Sequence, residues 1–370
     1  MIDLVHRFGP QNYYHYSGVI NTLPKFLEDN HLQFPLVIHG EKSWQAVQPY
    51  WPETEFQHPY KEILFAGECS YEEIDRIGSE VLHHQHDAII GVGGGKVLDT
   101  VKAVASKAKI PCILIPTLPS NCASFTPISI VYSAEGDHLG TIRHSQSNYM
   151  VMVEPELLVN APIEHLTSGI GDTLAKWYES KIRFNKLTSE EISILLELSH
   201  TAAKQCRDNI LKWGEAAVHA AEAKKSNADF SRMIDTIYAV AGLVGGLGGK
   251  FGQSVGAHAF NYGYVSLGKK GHLHGSLVAY GILFQLGLEE NYEEIKQLVP
   301  LYKKLKLPIC WRDLHLSPEK GDLDKMADQI LRPSSRIYAL PMELTKQSVI
   351  DGLQKLEAFI TENEVGLNAF

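Results

Sequence analysis

The stretch from Asp87 to Lys102, DAIIGVGGGKVLDTVK, constrains this chain more than any other. Ala88 to Val92 is a short, mostly apolar run suited to a buried strand. Gly93, Gly94 and Gly95 follow, and helix-favouring residues begin at about Lys96. A strand that breaks at glycines into a helix suits a phosphate. Glycine admits positive φ and close approach of a pyrophosphate, while the helix N-terminus offers unpaired N–H groups and the positive end of its dipole. Lys96 adds a point charge. No GxxxxGK[ST] frame fits, because Val97 stands where a magnesium-binding hydroxyl is needed, and Lys96 fills the sixth position of a GxGxxG fingerprint. Glycine clusters also make plain tight turns, so the rest of the chain must decide.

The residues on either side alternate between strand and helix. A helix packing Ile20, Leu23 and Leu27 is expected before Asn30, a strand over Phe34 to Ile38, and a third strand over Ile63 to Phe65. Tyr71 to His84 reads as a helix and Ile110 to Ile115 as a strand. Ile128 to Ser133 and Leu139 to Ile142 flank an expected hairpin turn at Ala134-Glu135-Gly136-Asp137, and Tyr149 to Val153 is a further strand. This order predicts a largely parallel sheet with helices on both faces, binding its ligand at the carboxyl ends of the strands. After Pro162 helical patterns dominate: Ser189 to Lys212, Phe230 to Ala241, Leu277 to Glu289 and Gln347 to Glu362. A boundary near Asn160 is therefore expected, with domains at 1–160 and 161–370. Glycines at 242, 245, 246, 248, 249, 252 and 256 suggest helices in close contact or a kinked helix.

Composition sets the partners. A net charge of -9 argues against nucleic acid or a membrane surface, and no apolar run approaches the ~20 residues of a membrane span. The five cysteines, Cys69, Cys112, Cys122, Cys206 and Cys310, form no CxxC pair, which points to a reducing compartment and no thiolate zinc site. A cytoplasmic enzyme with a small-molecule substrate is expected, and a homo-oligomer is left open.

Candidate metal ligands lie in the helical half. Gly169-Ile170-Gly171-Asp172 precedes a helix expected over Thr173 to Lys181, so Asp172 would sit at its start. His258 lies within GQSVGAHAFNYG, and His274 heads the helix that begins HGSLVAYG. One carboxylate and two imidazoles with open positions suit catalytic zinc or iron(II). Spacing alone does not bring them together. His272 competes with His274, and His83, His84 and His86 read as a solvated cluster.

IIGVGGGKVLDTVKAVA, the IPT at Ile115 to Thr117, SGIGDTLAKWYES, AHAFNYG and HGSLVAYG together resemble the iron-containing alcohol dehydrogenase superfamily, in its glycerol dehydrogenase-like branch. NCASFTPISIVY, GIGDTLAKWYE, GLVGGLGGKF and LRPSSRIYALP are most similar to the hydroxycarboxylate dehydrogenase group. The resemblance implies an N-terminal Rossmann-like α/β nucleotide domain and a C-terminal all-helical metal domain around a cleft. It implies one divalent metal, zinc or iron(II), on Asp172, His258 and His274. The NAD(H) or NADP(H) site would fall on Gly94, Gly95, Lys96, Asp99, Thr117, Thr126, Ile128 and Tyr132.

Three departures from the family pattern narrow the substrate. Cys122 replaces the aspartate that glycerol dehydrogenases place before the hairpin, which weighs against glycerol; Cys122 is expected either to contact the substrate or to serve as a small core residue. Gly40 stands where NAD-using relatives carry an acidic residue for the ribose; with Lys42 and Ser43 next to it, NADP(H) is favoured, although Glu41 intervenes. Lys176, one turn after Asp172, replaces a histidine ligand of iron-dependent alcohol dehydrogenases and is expected to meet a substrate carboxylate or to pair with Asp172 or Glu179. The expected reaction is hydride transfer between NADP(H) and a 2-oxo or 2-hydroxy acid of the 2-oxobutanoate or 2-oxoglutarate type. The alternative is an NAD-linked glycerol or related polyol dehydrogenase. More remote readings are a dehydroquinate synthase-like lyase, against which Lys96 and Asp172 count, and a regulatory protein without catalysis.

Overall fold

The computed structural model describes residues 5–133 and 136–367. Its sheet is six parallel strands: β1 (Asn12–His15), β2 (Pro35–His39), β3 (Lys61–Leu64), β4 (Ala88–Gly93), β5 (Cys112–Pro116) and β8 (Met150–Val153), in the order β1-β8-β5-β4-β2-β3. Strands β2, β4, β5 and β8 are buried along their whole length, as continuous apolar runs in a parallel sheet must be. Four helices accompany them: α1 (Leu23–Asp29), α2 (Glu41–Val47), α3 (Tyr71–His84) and α4 (Gly95–Ala108). From β2 the chain runs outward to β3, and from β4 it runs the other way to β5. The crevice between the ends of β2 and β4 is thus the switch point at which such sheets bind ligands.

β6 (Ile128–Tyr132) and β7 (His138–Arg143) form the expected antiparallel ribbon, with a bulge between Val131 and Tyr132. Ala134 and Glu135 of its turn lie outside the described residues.

After β8 and the short α5 (Pro155–Leu158) all regular structure among the described residues is helical: α6 (Ile163–Phe184), α7 (Ile194–Glu222), α8 (Ala228–Asp235), α9 (Ala241–Gly248), α10 (Gly256–Val265), α11 (His274–Leu288), α12 (Tyr292–Lys304), α13 (Lys320–Ile330) and α14 (Lys346–Leu367). Helix α11 is apolar on every side and packs against α10, α6, α12 and α14, so it forms the axis of this half. A π-helical turn at Thr236–Val240 joins α8 to α9. No helix among the described residues is long and apolar enough to cross a membrane.

The structure adds one strand that was not expected and corrects the place of one residue. The segment before Ile20 contributes β1, whose register pairs Asn12 with Met150. Tyr13 and His15 of that strand both bond Asp235 Oδ1, at 2.9 and 2.7 Å, tying the sheet edge to α8. That residue is Asp172, which lies in the middle of α6 rather than at a helix start. Gly169 and Gly171 do not end the helix. A Cβ on Gly169 would fall 2.1 Å from the Pro119 carbonyl oxygen, and one on Gly171 2.4 Å from the Gly275 oxygen. Both positions are glycine because neighbouring backbone comes too close for a side chain.

Candidate active site

The ends of β4 and β5 build the first part of the site. None of Gly93, Gly94 and Gly95 has positive φ, contrary to one reason for expecting glycine there. Space is what requires them: a Cβ on Gly93 would meet Val97 at 2.7 Å, and one on Gly94 would meet Leu118 at 2.9 Å. Gly94 is the N-cap of α4, so the first-turn amides of that helix open toward the crevice. Lys96 is exposed at its rim, 2.5 Å from Glu68 and 5.9 Å from the Tyr132 ring centre.

Beneath this rim, Asp99 is buried and ion-paired with Lys102 at 2.8 Å, and it accepts the Ile130 N–H at 2.9 Å. Lys102 in turn donates to the carbonyls of Ala123, Thr126 and Ile128. Asp99 therefore braces the loop after β5 from beneath. That loop begins at Thr117, whose N–H donates to Gly93 O at 3.0 Å, and carries Cys122 and Thr126. Burial raises the pKa of Asp99, and Lys102 opposes this.

On the far side of the switch point, Gly40 caps α2. The Ser43 hydroxyl accepts the Gly40 N–H at 3.0 Å and donates to Val92 O at 2.9 Å, clipping α2 to β4. Lys42 is exposed beside it, and Glu41 occupies the same first turn.

The second part lies on three helices. Asp172 from α6, His258 from the first turn of α10 and His274 from the head of α11 each place a donor atom within 4.8 Å of the others. His258 Nε2 stands 3.4 Å and His274 Nε2 3.6 Å from Asp172 Oδ1. Asp172 is buried and His274 is half-exposed, so the cluster has one open side. The donor set fits one divalent cation: a carboxylate oxygen and two imidazole nitrogens converge, and His258 Nδ1 is already bonded to Glu179 Oε2 at 2.7 Å. Burial would raise the pKa of Asp172, yet Lys176, His258 and His274 hold it well below the usual carboxylate range. For His258, burial pulls downward but the Glu179 and Asp172 carboxylates prevail, pushing it up to about 9.

Lys176 lies one turn along α6, its Nζ 3.7 Å from Asp172 Oδ2. Burial lowers its pKa, and Asp172 together with Cys122, Glu179 and Cys206 more than offsets this, so it stays a cation. Of the two expected ion-pair partners, Asp172 takes Lys176 while Glu179 turns to His258. Cys122 packs with Trp177 against the small cluster of Ala203, Cys206, Ala241 and Val244. Burial raises both the Cys122 and Cys206 thiols, against the pull of Lys176. The sequence reading did not assign Glu179, Lys102, Glu68 or Cys206 to the site. Of these, Glu179 had a visible signal, since Asp172, Lys176 and Glu179 form one stripe along α6.

The family described as iron-containing alcohol dehydrogenase has a model that matches residues 10–155. Hydroxycarboxylate dehydrogenase A of Escherichia coli K12 is 35% identical over 353 residues, covering 95% of this chain and 97% of that protein. Glycerol dehydrogenase of Escherichia coli O6:H1 is 31% identical, covering 93% and 94%. Among solved structures, a probable glycerol dehydrogenase from Sinorhizobium meliloti superposes with a TM-score of 0.83 at 27% identity, covering 96% of this chain and 99% of that one. The Schizosaccharomyces pombe glycerol dehydrogenase superposes with 0.87 at 22% identity, covering 99% and 94%, and shares the fold. A phosphate-suited crevice and a three-residue metal cluster thus meet an end-to-end likeness to such enzymes: the chain belongs to the iron-containing alcohol dehydrogenase family, in its glycerol dehydrogenase-like branch, and is a metal-dependent NAD(P)-linked oxidoreductase.

Proposed function

We propose that this enzyme interconverts a small 2-oxo acid and its 2-hydroxy acid, of the 2-oxobutanoate or 2-oxoglutarate type, with NADP(H). The reading rests on Lys176, a mostly buried ammonium one helical turn from the candidate metal ligand Asp172. It is supported by the likeness to hydroxycarboxylate dehydrogenase A over nearly the whole of both chains. A division into a nucleotide domain at 1–160 and a metal domain at 161–370 belongs to the same proposal.

When bound, a zinc or iron(II) ion supplies Lewis-acid polarisation of the substrate carbonyl, and the nicotinamide supplies or accepts the hydride. The chain's own residues do the rest. Asp172, His258 and His274 hold the cation. Gly93 to Gly95, Lys96 and the first turn of α4 receive the dinucleotide phosphates, with Thr117, Thr126, Ile128 and Tyr132 on the surrounding loop and ribbon. Lys176 binds the carboxylate of the oxo acid and so orients its carbonyl. Cys122 gives a small, weakly polar wall beside Lys176 where a polyol binder would need an acceptor. Lys42 is the residue that would meet a 2′-phosphate, because the hydroxyl of Ser43 is engaged at the end of β4.

Glu41 favours the second reading, an NAD-linked glycerol or polyol dehydrogenase. It stands in the first turn of α2, next to Gly40, where it can accept from a ribose hydroxyl. Lys176→Ala tests the first reading. A hydrogen bond to a charged group contributes about 1.5–3 kcal/mol, so KM for oxo acids should rise roughly 10- to 100-fold while that for neutral aldehydes changes little. An equal rise for both classes would reject it.

A further inference from the structure

We infer that Glu179 is a positioning residue that locks the His258 ring with its proton on Nδ1, leaving Nε2 as the lone pair for the cation. This rests on reading Asp172, His258 and His274 as the metal site.

The argument is a count of donors. Glu179 is buried, with 2% of its surface exposed. Its Oε1 accepts two backbone N–H groups, from Val255 at 2.7 Å and His258 at 3.0 Å. Its Oε2 lies 2.7 Å from His258 Nδ1. A peptide N–H only donates, so Oε1 is committed as an acceptor. An ionised carboxylate has no proton to give, so Nδ1 must carry the hydrogen in the third contact. Nε2 is then the ring atom left to give up its proton to solvent and bind the cation, and it is the one that faces Asp172, at 3.4 Å. One side chain therefore fixes the α10 backbone at the residue that carries the ligand, the ring orientation and the tautomer. Partners of this kind fix metal-bound histidines in general, and their loss commonly costs 10–100-fold in metal affinity.

Glutamine cannot replace Glu179. If its oxygen faces the two backbone donors, its NH₂ meets Nδ1, which must then accept, moving the ring proton to Nε2 and blocking the ligand. With the amide reversed, NH₂ meets two N–H groups in a buried position. Either arrangement removes a ligand or leaves buried donors opposed.

The test is zinc affinity of the full-length protein by chelator competition, with ¹⁵N-histidine spectra of the zinc-loaded forms. Glu179→Gln is expected to raise the zinc dissociation constant by about 10–100-fold, and its His258 Nε2 signal should lose the zinc-bound shift. A folded Glu179→Gln variant with affinity within a factor of about three of wild type and an intact zinc-bound Nε2 overturns the inference. Wild-type protein tests it even if the variant does not fold. His258 must show a protonated, slowly exchanging Nδ1 together with zinc-bound Nε2; zinc on Nδ1, or an unprotonated Nδ1, overturns it. Zinc binding by wild type with the wrong tautomer counts against Glu179 alone. No zinc binding at all overturns the metal-site reading and this inference with it.

Discussion

Replacing Gly275 by alanine tests how the proposed metal ligands are brought together. Gly275 follows His274 in α11, and Gly171 precedes Asp172 in α6, so the point where the two backbones touch is flanked by two of the three ligands. A Cβ on Gly275 would fall 1.8 Å from the Ser168 carbonyl oxygen and 2.6 Å from its carbon. Both are backbone atoms of a helix and cannot swing away. Relief requires the helices to part by on the order of 1 Å, and such overpacking costs about 1–3 kcal/mol. Metal sites tolerate errors of only about 0.2 Å in donor distance, so the same shift that relieves the clash should spoil the site. We expect Gly275→Ala to lower the melting temperature by several degrees and to weaken zinc binding at least about tenfold. Gly78→Ala, in α3, is the control. A Cβ there meets nothing within 4 Å, so it should stabilise by about 0.4–1 kcal/mol and leave zinc affinity alone. Thermal unfolding followed by circular dichroism, with chelator competition for zinc, reads both. Wild-type melting and zinc affinity in Gly275→Ala would show that the close crossing does not set the site.

Three further outcomes follow from buried groups. Lys102→Ala leaves Asp99 buried without its cation and frees three loop carbonyls; it should destabilise by about 3–5 kcal/mol in urea unfolding and weaken dinucleotide binding measured by fluorescence titration. His144 is buried against Ser129, and burial lowers its pKa to about 4. Because the unfolded chain takes up that proton first as pH falls, this contribution is complete above about 6.5 and is lost toward pH 4, removing roughly 3 kcal/mol. His144→Gln should flatten that part of the stability profile, and an unchanged slope would contradict the assignment. Lys176→Ala should separate oxo acids from neutral aldehydes in steady-state kinetics, as set out above.

Much of this was legible from local patterns, because local sequence encodes local structure. The apolar run before Gly93 suited a buried strand and is one, and α3 was expected over the residues it occupies, Tyr71 to His84. The ribbon of β6 and β7 was marked by its turn. The candidate ligands Asp172, His258 and His274 were visible as residue types, but their convergence depends on helix crossings that no single segment encodes. β1 escaped notice because NYYH is too short to show alternation, and its partner β8 lies far along the chain. The start of α6 was hidden by Gly169 and Gly171, which weaken a helix locally and are present because other backbone approaches them. Glu179 was seen only as a partner for Lys176, since the histidine it orients is 79 residues away.

The most direct test of the account is to follow NADPH and NADH oxidation by the zinc- or iron(II)-loaded enzyme with 2-oxobutanoate and 2-oxoglutarate, running glycerol with NAD and NADP in parallel. The account predicts oxo-acid reduction, faster with NADPH, that disappears when Asp172 is replaced by alanine. Glycerol oxidation with no turnover of either oxo acid would contradict it, and would place Cys122 and Lys176 in a polyol pocket instead.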